Sequence, residues 1–390
     1  MASLLDELVA DEARRRKEFP VAGEKIFLGH AGVTVLPRVV AEAVAEYTWR
    51  SSKDHQEFGD VLRRVDETRV EAACLIGAEA SEIALLGPTS LGLSLFANGI
   101  PWEAGDEVLC YFDDYPANVY PWLELRRQGV VVRFLKPSQP GAITPDLVFA
   151  AITPRTRLVA LASAHFLTGY RIDIDSIGLG LRERGILFSL DAIQTLGAFP
   201  TRVTHVDFMS ADAHKWLLGP LAVGIVYVAK RHFDLVRPTL VGAWNGVAPD
   251  FISQPEVTYP RSGRRYEPGV LNVAGIFGMA AAIRLLTSLG IERVAERIMD
   301  LKESLVLGLE ALGFEIFGPR TGDSASGITT CHHPTCDLRQ LFQHLEASGV
   351  VCSLRKNRAG QPLLRFSPHF YNTKDEIGHV VDLIARFLRG

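Results

Sequence analysis

Short apolar runs alternate with longer amphipathic segments along the first two-thirds of the chain. Residues 175–184 are one segment of helical character. The runs are rich in β-branched and aromatic residues, a pattern typical of strands buried on both faces of a sheet. They are IFLG, EVLCYF, VVVRFL, LVALASA, LFSLDA, HVDFMS and GIVYVA. This alternation predicts an α/β fold whose large domain, residues 21–255, holds a mostly parallel, seven-stranded type of sheet.

The pattern changes after a stretch rich in proline and arginine, residues 249–268. Residues 272–312 are helical in character, and the strand-like runs FEIFG, GITTCHH, VVCSLR and LLRFSP follow, with helical segments between and after them. We therefore expect residues 256–390 to contain an interdomain segment and a smaller α+β domain. Residues 1–20 alternate charged and apolar positions and predict an N-terminal helical arm.

Residues 83–102 carry no charge and match a membrane span in length. The stretch contains GPTS, an Asn-Gly pair and a proline, which break it into a strand, a turn and a short helix. We expect buried protein here and no membrane association.

Composition narrows the function classes. The 390 residues are 47% hydrophobic and 22% charged, with a net charge of -4, so no basic surface suggests a nucleic acid or an anionic membrane as partner. Five cysteines without regular spacing fit a reducing compartment, and the N-terminus lacks the apolar core of a secretory signal. These features predict a cytoplasmic enzyme.

The candidate chemistry lies where strands end. Lys215, in SADAHKWLLGP, is flanked by a strand and by fourteen uncharged residues, although a buried ammonium is costly. Asp191 ends the strand LFSLD, and Gln194 follows it closely. Thr89 and Ser90, in GPTS, begin a helix and could bind phosphate there. Ligands of open α/β sheets bind at such carboxyl ends.

Pyridoxal phosphate suits this set, because it needs a lysine for its Schiff base, an acid at its pyridine nitrogen and a phosphate site. Taken singly, each residue has an ordinary alternative. Asp191 could cap a helix, Thr89 and Ser90 could be an N-cap, and Lys215 could extend its amine to solvent. Their order and their strand-end positions favour the cofactor.

The sequence resembles the fold-type I pyridoxal-phosphate enzymes of the class V aminotransferase group, which includes cysteine desulfurases, kynureninases, isopenicillin N epimerase-like proteins and C–S lyases. The resemblance covers nearly the whole chain. It rests on IFLGHAGVTVLP, LGPTSLGLSLF, DDYPANVYPW, SLDAIQTLGAFP, SADAHKWLLGP, RRYEPGVLNVAG and LLRFSPHFYNTKDEI.

The resemblance implies a homodimer acting on an amino acid, in which Lys215 holds the cofactor and moves protons. Arg365 would bind the substrate carboxylate, and Tyr115 would cover the cofactor ring. The remaining implied cofactor contacts are Asp191 at the pyridine nitrogen, Gln194 at the ring hydroxylate, Thr89, Ser90 and His214 at the phosphate, and Ser210 as a weaker phosphate candidate. His165 either touches the ring or substrate or is an ordinary loop histidine.

Four positions depart from relatives in the group. Cysteine desulfurases carry a nucleophilic cysteine before the arginine motif, but Cys352 falls inside an apparent strand, which suggests a core residue. Tyr115 replaces the histidine that desulfurases usually stack on the ring. Val270 stands where many relatives have a threonine that reaches the partner's phosphate. Asp212 would repel phosphate and is expected to point elsewhere.

The reaction is left open by these residues. The group shares external aldimine formation and usually removal of the Cα proton, and the missing desulfurase cysteine favours β-elimination of the C–S lyase type. Transamination, epimerisation and a non-catalytic cofactor-binding regulator are the alternatives. CHHPTC lacks regular zinc spacing, so no metal is expected. Arg355, Lys356 and Arg358 form either a solvated hairpin or a contact to a second acidic group of the substrate.

Overall fold

Helices and strands alternate through residues 4–390, the part of the chain that the computed structural model describes. The strands are β1 (Ile26–Phe27), β2 (Ile83–Ala84), β3 (Glu107–Cys110), β4 (Val131–Phe134), β5 (Thr156–Ala162), β6 (Leu187–Asp191), β7 (Phe208–Asp212), β8 (Gly224–Val228), β9 (Glu315–Phe317), β10 (Thr329–His332), β11 (Val350–Val351), β12 (Ser353–Lys356) and β13 (Pro362–Phe366). The helices are α1 (Leu4–Ala10), α2 (Glu12–Glu18), α3 (Arg38–Ser51), α4 (Val61–Ile76), α5 (Thr89–Gly99), α6 (Tyr120–Glu124), α7 (Pro145–Ala150), α8 (Ile174–Glu183), α9 (Val273–Leu289), α10 (Ile291–Ala311), α11 (Leu338–Ala347) and α12 (Lys374–Arg389).

The large sheet places the strand ends that carry chemistry side by side. Within the described residues it has seven strands in the order β2-β8-β7-β6-β5-β3-β4. Strands β3 to β7 pair in parallel, and β8 and β2 join antiparallel. Asp191 on β6 is in register with Ala162 on β5 and Ser210 on β7. Apolar clusters cover both faces of the sheet, which confirms the α/β fold.

The C-terminal part forms a second, smaller sheet. Its strands run antiparallel in the order β12-β13-β10-β9. Buried side chains of α10, α11 and α12 pack against this sheet in one apolar cluster. Arg365 lies on β13, opposite Ser353 on β12 and Thr330 on β10. This is the α+β unit that the sequence predicts.

The segment IFLG corrects one detail of the sequence analysis. Its strand β1 lies outside the large sheet and pairs in parallel with β11, and Leu28 is buried in the small-domain cluster. The physical reason is that the backbone hydrogen bonds of this short strand are made by β11, which lies next to the small sheet. The chain then turns toward the large domain, where Thr34 N donates to His214 O at 2.7 Å.

The uncharged stretch from Ile83 to Trp102 is buried protein, as expected. It contains β2 and α5, whose side chains belong to the two apolar clusters of the large domain. No single helix within residues 4–390 has the length and apolarity of a membrane span. Helices α9 and α10 meet that criterion only as a pair, bent by 81° at Gly290 (φ 83°).

The N-terminal arm packs against the C-terminal helix. Residues 1–3 of the predicted arm lie outside the described residues, and the rest forms α1 and α2. Arg15 is buried and donates to Glu376 on α12 at 2.8 Å. The domain boundaries expected from the sequence remain a proposal, since β1 joins the two parts.

Gly92 on α5 provides a test of how closely this helix packs against the large sheet. A Cβ at this position would lie 2.4 Å from Ser210 Oγ and 2.8 Å from Val226 Cγ2. Gly92→Ala should therefore destabilise the protein by about 1–3 kcal/mol, as overpacked cores do. Gly378→Ala on α12 is the matched control, because no atom lies within 4 Å of its Cβ. It should stabilise by about 0.5–1 kcal/mol. Equal unfolding midpoints for the two variants in calorimetry would contradict this packing.

Candidate active site

A cavity of about 510 Å³ lies where the carboxyl ends of the large sheet meet the small sheet. Segments from both parts of the chain line it, including Gly29 and residues 31–33 after β1 and the paired strands β12 and β13. Eight of the residues proposed from the sequence are in its wall: Thr89, Ser90, Tyr115, Asp191, Gln194, His214, Lys215 and Arg365. Ser210 and His165 do not line it.

The side-chain amine of Lys215 is largely desolvated and has no protein partner among the described residues. The residue is 8% exposed, and no hydrogen bond or salt bridge to Nζ exists within residues 4–390. Its nearest ring is that of Tyr115, 5.4 Å from Nζ. Burial is the largest influence and lowers the pKa of the amine, while the charge of Asp191 acts in the opposite direction. A neutral amine is a nucleophile, so this environment favours imine formation with a carbonyl group.

Asp191 lies at the end of β6 and is 3% exposed. One carboxylate oxygen, Oδ1, accepts from Ile193 N at 3.1 Å. Burial, followed by the nearby charge of Asp114, raises the pKa of Asp191. A carboxylate in such a place gains stability from a cationic partner, and a protonated pyridine nitrogen would supply one.

The N-terminus of α5 lies at one end of the cavity and could bind an anion. Thr89 and Ser90 begin the helix without a side-chain N-cap, which leaves N–H groups for a phosphate. Ser210 Oγ donates to Thr89 O at 3.0 Å and therefore supports the helix start from behind. Asp212 N donates to Thr89 Oγ1 at 2.9 Å, so the hydroxyl proton stays available.

Asp212 holds His214 toward the same end of the cavity. One carboxylate oxygen accepts from the backbone N–H groups of Ala213 and Val223, at 2.9 and 3.1 Å. The other oxygen lies 2.8 Å from His214 Nδ1. Because Asp212 is committed to these donors, it stays out of the phosphate position, and it directs the other edge of the His214 ring into the cavity.

Gln194 fixes the loop that carries Lys215. Its Oε1 accepts from Trp216 Nε1 at 2.9 Å, and its Nε2 donates to Ala31 O at 3.2 Å. His369 Nε2 contacts Trp216 O at 3.0 Å from the other side. The residue after the lysine is therefore held at both ends, and one N–H of Gln194 remains for a ligand.

Tyr115 and His165 have separate roles in the structure. Tyr115 is exposed in the cavity wall, with its ring 5.6 Å from that of Phe166, so it can cover a flat ligand. His165 is buried, and Thr168 N donates to its Nδ1 at 3.2 Å. The other nitrogen, Nε2, therefore donates to Asp113 O at 3.1 Å. His165 supports the loop before Phe166 and makes no contact with the cavity.

Arg365 presents two free donors in a buried position. It is 2% exposed, and Nη1 donates to Phe166 O at 2.6 Å. Nε and Nη2 have no partner among the described residues. Unpaired buried donors are costly, and adjacent guanidinium N–H groups match the two oxygens of a carboxylate. The arrangement fits an amino-acid carboxylate.

Cys352, Arg355 and Phe166 also belong to the cavity wall. Cys352, expected in the core, is both in the small-domain cluster and in the cavity wall. Arg355, expected either in a solvated hairpin or at a second acidic group of the substrate, lines the cavity. Phe166, which no motif indicated, lines it as well. No group of three potential metal ligands occurs within residues 4–390.

The residues present fit pyridoxal phosphate. The unpaired amine of Lys215, the helix start at Thr89 and the buried Asp191 surround one cavity that Tyr115 partly covers. Each supplies what one part of the cofactor needs: a nucleophile for the aldehyde, donors for the phosphate, an acid for the ring nitrogen and a flat contact for the ring face.

Comparison with known proteins adds an independent line of support. The family model described as Aminotransferase class-V matches residues 26–380. A "Probable cysteine desulfurase" of Methanothermobacter thermautotrophicus is 27% identical, with 95% of this chain and 97% of that protein aligned. "Cysteine desulfurase IscS" of Anaeromyxobacter dehalogenans is 34% identical over 72% of this chain and 67% of that protein.

Solved structures show the same fold. The apo structure of a cysteine desulfurase from Thermococcus onnurineus NA1 superimposes with a TM-score of 0.90 at 23% identity. The match covers 97% of this chain and 98% of that chain. The likeness therefore includes both the large sheet and the small C-terminal unit.

Asp212 provides a test of the phosphate end. Asp212→Ala removes the carboxylate that accepts two backbone N–H groups and holds His214, so the Kd for pyridoxal phosphate should rise by roughly tenfold or more. Equilibrium titration of the apoprotein measures this change.

Asp173→Ala is the control for a general loss of stability. Asp173 caps α8 by accepting from Ser176 N at 2.9 Å, and its loss should cost about 1 kcal/mol. The cofactor Kd of this variant should stay at the wild-type value. An unchanged cofactor Kd in Asp212→Ala would show that Asp212 does not contribute to cofactor binding.

Proposed function

The chain belongs to the aminotransferase class-V family, whose enzymes use pyridoxal phosphate, and on that premise we propose that it is an amino-acid lyase. The reaction is the removal of a sulfur group from Cβ of a cysteine derivative. An S-substituted cysteine and water would give a thiol, pyruvate and ammonia. The observation that carries the proposal concerns Arg365 and Lys215, which line the same cavity. Among the described residues, two N–H groups of Arg365 have no partner, and the amine of Lys215 has none either.

Arg365 orients the substrate. Its free Nε–H and Nη2–H groups receive the α-carboxylate, while Nη1 stays on Phe166 O. Burial, followed by the charge of Arg355, lowers the pKa of Arg365 to about 9, so a bound carboxylate also compensates a desolvated cation. A two-pronged contact fixes the direction of the Cα–H bond relative to the other groups of the cavity.

Lys215 moves the proton. When bound, pyridoxal phosphate supplies an electron sink for the carbanion at Cα. With its pKa lowered by burial, the Nζ amine accepts the Cα proton near neutral pH. Asp191 would keep the ring nitrogen of the bound cofactor protonated, and the contacts on both sides of Trp216 hold the lysine loop in place.

Cys352 is the reason to prefer a lyase over a persulfide-forming desulfurase. Relatives that are 27% to 34% identical are named cysteine desulfurases, and Cys352 does line the cavity. However, burial raises the pKa of its thiol to about 12. The thiolate needed to accept sulfur is therefore scarce at neutral pH. Desulfuration through Cys352 is the second candidate, favoured by its position.

We further propose a homodimer in a reducing compartment such as the cytoplasm. Val270 is 73% exposed, as is Phe251, and Ile252 is 64% exposed. Val270 directly follows the segment RRYEPG, and Phe251 and Ile252 precede it in the same proline-rich stretch. Arg265, Tyr266 and Glu267 of that segment are buried. The five cysteines are free, as reducing conditions require.

Light scattering should give twice the mass of one chain, and a fully active monomer would contradict this proposal.

The reaction itself is tested with the purified holoenzyme and a panel of amino acids. The panel contains L-cysteine, L-cystine, S-substituted cysteines, L-alanine and common transamination donors. We expect pyruvate and ammonia in equal amounts from the sulfur-containing members, together with a thiol from S-substituted cysteines, hydrogen sulfide from L-cysteine and a persulfide from L-cystine. Keto acid without ammonia would indicate transamination, and a D-isomer would indicate epimerisation. Cofactor binding without any product would indicate a regulator.

Two variants separate the residue roles. Arg365→Lys keeps the charge but loses the two-pronged contact, so kcat/KM should fall by roughly 10- to 100-fold. Cys352→Ser should leave kcat/KM close to the wild-type value. A strong loss of kcat/KM in Cys352→Ser, together with a nearly unchanged kcat/KM in Arg365→Lys, would contradict these roles and support the desulfurase reaction instead.

A further inference from the structure

Arg355 is a charged residue of the cavity to which the proposed reaction gives no task. It lies on β12 and is exposed at the cavity wall. No hydrogen bond or ion pair to Arg355 exists in the part of the chain that the structure describes. Its side chain is therefore a cation that faces the site without a protein counter-charge.

The register of the small sheet places Arg355 on the same face as Arg365. Ser353 on β12 is directly opposite Arg365 on β13, and side chains two residues apart on a strand share a face. An added Cβ on Gly32 would lie 3.7 Å from Arg365 Nη2 and 3.8 Å from Arg355 Nη2. Both guanidinium groups therefore approach the backbone at Gly32.

Of the charged side chains in the cavity wall, Arg355 has no assigned partner. The charged wall residues are the acid Asp191 and the cations Lys215, Arg355 and Arg365, within residues 4–390. Asp191 is matched by the cofactor ring nitrogen, Lys215 by its bond to the cofactor, and Arg365 by the α-carboxylate. The cofactor phosphate belongs to the N-terminus of α5. No anionic partner is thereby assigned to Arg355.

The two other basic residues of this loop do not compete for the role. Arg358 forms a salt bridge with Asp113, and its guanidinium lies 4.4 Å from the centre of the Phe112 ring. It thereby fastens the end of the hairpin to the large domain. Lys356 is exposed and does not line the cavity, because strand alternation directs it to the opposite face from Arg355.

We propose that Arg355 binds a second anionic group, carried on the sulfur side of the substrate. This inference rests on the proposed lyase function and names its substrate class: cysteine derivatives whose sulfur substituent ends in a carboxylate or a similar anion. Arg365 would hold the α-carboxylate, and Arg355 would hold the distal anion at the cavity mouth. A neutral substituent would leave Arg355 unpaired and would bind more weakly.

The test compares two compounds of the same shape and different charge. S-carboxymethyl-L-cysteine ends in a carboxylate, and S-carbamoylmethyl-L-cysteine ends in the neutral amide. With the wild-type holoenzyme, kcat/KM for the acid should exceed that for the amide by on the order of tenfold. In Arg355→Gln the ratio should fall to about one, mainly because KM for the acid rises.

Lys356→Gln is the matched control, because it removes the same charge from the neighbouring residue of the same strand. It should keep the wild-type ratio. A wild-type ratio near one, an unchanged ratio in Arg355→Gln, or an equal loss of preference in Lys356→Gln would overturn the proposal. The last result would show a general field effect instead of a contact.

Failure of the lyase proposal can be recognised separately. If the holoenzyme consumes neither compound, both are inert ligands, and calorimetry with the same three proteins gives their Kd values. A preference for the acid that depends on Arg355 would then support the second anion site while the reaction itself is rejected. No preference in binding would reject the site as well.

Discussion

The desolvated amine of Lys215 is the constraint on which the site depends. The chain buries a second lysine, Lys302, whose Nζ donates to three backbone carbonyls at 2.8 to 2.9 Å. Burial lowers the pKa of both amines, yet Lys302 has its hydrogen bonds satisfied, whereas Lys215 Nζ has no protein partner within residues 4–390. A buried amine without partners is costly unless a ligand consumes it. The fold holds this amine beside Asp191 and the start of α5, where one cofactor satisfies all three.

Most of the polar network around the site holds groups in position. Asp212 orients His214, Gln194 and His369 hold Trp216, and Phe166 O fixes one nitrogen of Arg365. These contacts come from the large sheet, the small sheet and the segment after β1, so the two parts of the chain must assemble before the cavity exists. Preorganised donors of this kind lose little on ligand binding.

The sequence was sufficient for the residues whose place depends on strand ends. Asp191 and Lys215 follow predictable strands, and parallel strands bring such ends to one edge. The sequence was insufficient for residues whose role depends on the direction of a side chain or on which strands pair. The role of Asp212 depends on which N–H groups its oxygens reach, and that of Arg355 depends on the register of two strands. The partner of β1 lies far away in sequence, and His165 points away from the cavity because Asp113 O and Thr168 provide its hydrogen bonds.

The central claim, that Lys215 is the residue joined to the cofactor, is tested most directly by borohydride reduction. The purified protein is loaded with pyridoxal phosphate, reduced, digested and analysed by peptide mass spectrometry. The account predicts a pyridoxyl label on Lys215, none on Lys302, and no label at either position in Lys215→Ala. A label on another lysine, or a protein that takes up no cofactor, would contradict it.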